Sequence, residues 1–168
     1  EISTVQINSE CGNLFLDFDF VENIPPKNRA RCEFLDSYES PAVRDLMEKA
    51  DEIWLASAWK PWVAELLPQS VSNLRNTFEK PLYVFGLKNF GTVSQKSMLD
   101  IAVDERATCA QAPLPDVVEV NNLIKNSLPD HVFVNVLEGF CETKSTCRLF
   151  ADEGELISYD GSHVTKVG

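Results

Sequence analysis

Three short apolar runs separated by helical stretches constrain this chain more than any other feature. Ile53-Trp54-Leu55-Ala56, Leu82-Tyr83-Val84-Phe85 and Val132-Phe133-Val134-Asn135-Val136 are nearly continuous in apolar residues. Runs of that kind belong to parallel strands covered on both faces, which would put Trp54 in the core. Helical patterns lie between and before them. Ser40 is a good N-cap and Pro41 suits a first turn, and Val43, Leu46, Met47 and Ala50 then fall on one face. A helical region over 61–79 carries Leu67, Val71, Leu74 and Phe78 on its inner face, with a restart expected at Pro68. Further helices are expected near 94–103 and 116–127. Strands alternating with helices imply right-handed crossovers and a mostly parallel sheet with helices on both faces. This predicts one α/β domain over residues 1–168.

The remaining segments are less regular. Ile2, Val5 and Ile7 read as a short strand. Residues 14–20 alternate apolar and acidic side chains, the pattern of a half-exposed strand or an extended loop. Residues 21–39 contain Pro25-Pro26 and little periodicity, and read as an irregular excursion. The chain opens at Glu1-Ile2-Ser3 without an initiator Met or a signal peptide, which reads as a cut and an N-terminally incomplete domain. No apolar run approaches the roughly 18 residues that span a bilayer.

A formal net charge of −11 repels phosphate backbones, so nucleic acid is not an expected partner. Glycines are too sparse for a phosphate-cradling loop. Of the two histidines, His131 reads as a polar residue entering a strand, and a His-based metal centre is not expected. Neither metal nor cofactor is implied. The five cysteines include no Cys-x-x-Cys pair. Cys141 and Cys147 bracket a short polar loop, where a disulfide contributes about 2 kcal/mol. Cys11 and Cys32 can close a longer loop around Pro25-Pro26. Four paired thiols and one spare suit an oxidising compartment, against an all-reduced cytosolic alternative.

Ligands of open α/β sheets collect beyond the carboxyl ends of the strands. That singles out Asn8–Gly12, Ser57–Lys60, Gly86–Gly91 and Asp160–His163. An Asp and a His three apart can share one face of a tight turn. The carboxylate then orients the imidazole and stabilises its charged form, making the His a competent general base. The alternative is a surface turn with a solvated His.

The tail Ser158-Tyr159-Asp160-Gly161-Ser162-His163-Val164-Thr165-Lys166-Val167-Gly168 resembles the last signature block of the SGNH hydrolase superfamily. More narrowly, the chain is similar to SGNH domains attached to bacterial membrane acyltransferases that O-acylate cell-surface sugars. Asp51–Trp59 looks like the strand ending in Trp of those domains, Cys141–Cys147 like their cysteine-bracketed stretch, and Gln6–Cys11 like their second strand. The resemblance covers nearly the whole chain, though only the tail is specific. It implies a three-layer α/β/α flavodoxin-like fold without its first strand. It also implies His163 as base, Asp160 as orienter, and an acyl donor and carbohydrate acceptor as partners. A periplasmic or extracytoplasmic location, tethered to the inner membrane through a missing N-terminal part, goes with it.

One departure is large. The family's Gly-Asp-Ser block, whose Ser attacks the acyl carbonyl, does not occur here. Its Ser is therefore expected upstream of this chain, or else the domain is a degenerate one that binds or positions glycan. The family also uses a Gly and an Asn as oxyanion donors. Gly12 is a candidate for the first, or simply turns the chain. Trp59 stands near the place of the second, with Asn89 as a substitute or an ordinary loop Asn. Trp59 and Trp62 are also candidates to line a sugar pocket.

Overall fold

A computed structural model describes residues 2–33, 37–143 and 146–167. In chain order the elements are α1 (Pro26–Cys32), α2 (Pro41–Lys49), β1 (Ile53–Ala56), α3 (Pro61–Phe78) and β2 (Leu82–Phe85). They continue with α4 (Gln95–Leu99), α5 (Val103–Arg106), β3 (Ala110–Gln111), α6 (Pro115–Ser127), β4 (Phe133–Val134), α7 (Val136–Phe140), β5 (Cys141–Thr143) and β6 (Thr146–Arg148). This is the α/β class that the apolar runs imply, compatible with a flavodoxin-like arrangement. Contacts divide the chain into two compact units, Glu1–Phe85 with Asn122–Val134 and Gly86–Asn121 with Asn135–Gly168.

The first unit holds a parallel sheet in the order β1-β2-β4, with Ile53 opposite Leu82, Ala56 opposite Phe85 and Phe85 opposite Val134. Its core comprises Ile53, Leu55, Leu82 and Val84 from the strands, with Val43, Leu67, Leu74 and Ile124 from the helices. The Ser40 hydroxyl accepts from the Val43 N–H, capping α2 as its sequence predicts. Helix α3 runs unbroken through Pro68 instead of restarting there. Proline removes one donor to the Ala64 carbonyl, but the buried face continues on both sides of it through Val63, Leu67, Val71 and Leu74. The helix ends at Glu79, whose left-handed φ of 54° lets its N–H reach the Arg75 carbonyl.

Several expectations are corrected. Trp54 is not core: the residue is 57% exposed and its ring lies beside Phe85, while Ile53 and Leu55 are buried. Successive strand residues face opposite ways, and β1 has only β2 as a neighbour among the described residues. Residues 2–7 form no strand, and Ile2 and Val5 are exposed; no described strand offers them a ladder. The excursion at 21–39 contains α1, braced by Arg29 donating to the Ile24 and Glu22 carbonyls. The helix expected at 94–103 is two short ones, and the run 132–136 gives only a two-residue strand before turning into α7.

In the second unit a small antiparallel sheet, ordered β3-β6-β5, was not signalled by any periodicity. Phe90, Leu137, Cys147, Leu149 and Phe150 form its apolar centre. Arg106 lies over the Phe150 ring and donates to the carbonyls of Leu99, Ile101 and Gly154, fastening the loops around it.

Both expected disulfides are present, Cys11–Cys32 and Cys141–Cys147, and Cys109 is free. Two disulfides suggest an oxidising, extracytoplasmic environment. No described helix is long and apolar enough to cross a membrane.

A candidate catalytic turn at Asp160 and His163

The turn carrying Asp160 and His163 belongs to the second unit and is held by main-chain bonds. Backbone pairings run from Leu149 to Cys109, from Ile157 to Leu149 and from Thr165 to Ile157, and a bridge joins Ser158 to Val164. Inside that bridge, buried Ser158 donates its hydroxyl to the His163 carbonyl at 2.7 Å and accepts from the Gly161 N–H at 2.9 Å. Gly161 sits at φ 86°, and a Cβ there would run into the Gly91 carbonyl oxygen. The Gly161 carbonyl in turn accepts from the Phe90 N–H at 2.8 Å. Glycine is therefore required for both the conformation and the close approach.

This backbone presents Asp160 to its own turn. Oδ1 accepts from the N–H groups of Ser162 and His163 at 2.9 and 2.8 Å, and Oδ2 lies 2.7 Å from His163 Nδ1. The His163 backbone bond, then the imidazole bond, then the Ser162 bond hold the Asp160 carboxyl well below its ordinary value, at about 2. An ionised carboxylate only accepts, so Nδ1 carries the proton, and in the neutral imidazole Nε2 then keeps its lone pair. Nε2 has no partner among the described residues, and the His163 side chain is 69% exposed. A nucleophile's proton could thus be accepted at Nε2 while the charge that develops is stabilised from Nδ1.

Asn89 lies in the loop that packs against this turn through Phe90 and Gly91. It is buried, and its Oδ1 accepts from the N–H groups of Gly91 and Leu114, both at 2.8 Å. Its Nδ2 has no partner among the described residues, which leaves a fixed amide with an unspent donor. The structure therefore brings Asn89, Asp160 and His163 onto neighbouring segments of one unit.

Gly12 and Trp59 belong to the first unit, each with a packing role of its own. A Cβ on Gly12 would strike the Trp62 ring, so the glycine is needed for close approach. Trp59 is buried and spends its indole N–H on the Phe85 carbonyl at 2.8 Å, leaving no donor for a ligand. Trp62 packs near Phe20. His131, with Arg75 and Lys80, lines a broad concavity at the amino-terminal end of β2, the end of an α/β sheet where ligands do not collect. No group of three or more metal-ligating side chains occurs among the described residues. Sequence reasoning missed Ser158; its only signal was a small polar residue two before the Asp.

Comparison of the chain with protein-family models, curated proteins and solved structures returned no match.

Proposed function

We propose that this chain is the base-bearing part of a serine acyltransferase or esterase acting on cell-surface carbohydrate, of the SGNH kind. The observation that carries the reading is the ionised Asp160 held 2.7 Å from His163 Nδ1, on an imidazole side chain that is itself 69% exposed. A serine hydroxyl brought to Nε2 gives up its proton and attacks the acyl carbonyl of the donor. The donor's acyl–oxygen bond then breaks, its leaving group departs with the proton returned from Nε2, and an acyl-enzyme remains. A sugar hydroxyl or water then accepts the acyl group as His163 activates it. The Asn89 Nδ2 is the donor best suited to the developing oxyanion, because its other end is already fixed. The serine comes from sequence outside these 168 residues, which contain no Gly-Asp-Ser. The partners in this reading are an acyl donor, a carbohydrate acceptor and an attached membrane acyltransferase that tethers the domain outside the cytoplasm.

A second reading, a degenerate domain that positions glycan, is favoured by the absence of any serine hydroxyl on Nε2 among the described residues. Hydrolysis of p-nitrophenyl acetate by the full-length gene product separates the two. The enzyme reading expects turnover that falls by roughly three orders of magnitude or more in His163→Ala. Turnover that survives the substitution removes the Asp-His assignment, and none in either form puts the glycan-positioning reading first.

A further inference from the structure

His163 has a second neighbour that the acid–base scheme does not use. The Tyr159 ring stacks on the imidazole, with centroids 5.8 Å apart and planes 10° from parallel. From this stack we infer that Tyr159 is the positioning residue that keeps the His163 ring in line with Asp160. The problem it solves is visible in the exposures. The His163 side chain is 69% exposed and that of Asp160 40%. A single hydrogen bond at that exposure competes with water and leaves the imidazole free to swing about its side-chain torsions. A pocket would normally supply the walls. Here one face is met by the ring of Tyr159, a residue that is itself 46% exposed.

The stack follows from the backbone. Tyr159 and His163 stand on the two arms of the turn closed by the Ser158–Val164 bridge, and Ser158 ties both Gly161 and His163 from within. The spacing of the arms therefore places the two rings together. With one edge of the imidazole on Asp160 and one face on Tyr159, the ring keeps Nε2 directed outward. If the stack is lost, the ring turns from the carboxylate, and Nδ1 no longer has a reason to hold the proton. Free neutral imidazole of histidine prefers the proton on Nε2, the tautomer that cannot act as base at that atom.

The consequence for catalysis rests on the proposed role of His163, but the test does not require turnover. The protein has two histidines, so ring-nitrogen NMR on ¹⁵N-histidine-labelled protein yields two imidazoles, with His131 as an internal control. Above the titration range, the wild type is expected to show His163 mainly as the Nδ1–H form. Tyr159→Phe keeps a stacking face and should match it. Tyr159→Leu keeps bulk without a face and should shift the tautomer ratio about three- to tenfold toward Nε2–H, with His131 unchanged. An unshifted ratio in Tyr159→Leu overturns the inference, as does an equal shift in Tyr159→Phe. Should the ratio shift as expected while His163→Ala keeps full turnover, the positioning stands and the enzyme reading falls.

Discussion

The two units of this chain reach order by different routes. The first is held by a parallel sheet and by the long helix α3, whose apolar face is buried nearly end to end. The second has strands of two or three residues, a small apolar cluster, a disulfide across its hairpin, and a turn tied by side chain-to-backbone bonds. Core periodicity explains the one; local chemistry explains the other. The candidate chemistry sits in the second. A site built from turn geometry needs few residues and little burial, provided that the backbone is cross-braced.

This contrast can be broken at several points. The largest effect is expected in the first unit, where Leu67 is fully buried; Leu67→Ala should cost about 4 kcal/mol in urea unfolding. A loss below about 1 kcal/mol would mean that α3 is not the organising core. In the second unit, replacing Cys141 and Cys147 together by Ala should cost about 2 kcal/mol on the chain-entropy account. Thiol titration of the native protein should find only Cys109 reactive, and additional free thiols would remove that staple.

Glycines sharpen the comparison within the second unit. Gly161→Ala meets both a positive φ and the Gly91 carbonyl, and should cost on the order of 1–2 kcal/mol by thermal unfolding. Gly139, in α7 with open space around it, should accept Ala without loss. Equal losses would argue against the bracing of the Asp160 turn. Smaller still, Trp54→Ala should cost less than about 1 kcal/mol, whereas a core tryptophan would cost about 3–5.

Protonating Asp160 comes last. Its folded value lies below its ordinary one, so its contribution to stability is present above about pH 4 and is lost as pH falls through about 2. The amide resonances of Ser162 and His163 should titrate with that midpoint, and Asp160→Asn should flatten them. A midpoint near 4 would mean that the turn does not hold the carboxylate.

The sequence made the first unit legible and much of the second illegible, for a physical reason. The runs at 53–56 and 82–85 are continuous enough to mark buried strands, the face through Leu67, Val71, Leu74 and Phe78 is long enough to show a helical period, and each forms the predicted element. Residues 110–111, 141–143 and 146–148 are too short to show one. Trp54 was misplaced because an apolar run does not say whether both faces of its strand are covered, and in β1 only the face of Ile53 and Leu55 is buried. Asp160 and His163 were legible as a turn by their spacing. Ser158 was not, because its buried hydroxyl acts through backbone groups that any residue supplies. Trp59 and Gly12 show the converse: residue types suited to a site that are consumed by packing.

The open side of β1 bears on how the protein behaves at high concentration. Along that edge, among the described residues, the strand's outward N–H and C=O groups meet no other strand, and Trp54 adds an exposed apolar ring. Two copies meeting there could extend one another's sheets. A net charge of −11 keeps them apart by mutual repulsion, acting as colloidal protection that salt weakens. Concentrated stocks should accordingly stay dispersed in dilute buffer and self-associate as ionic strength rises.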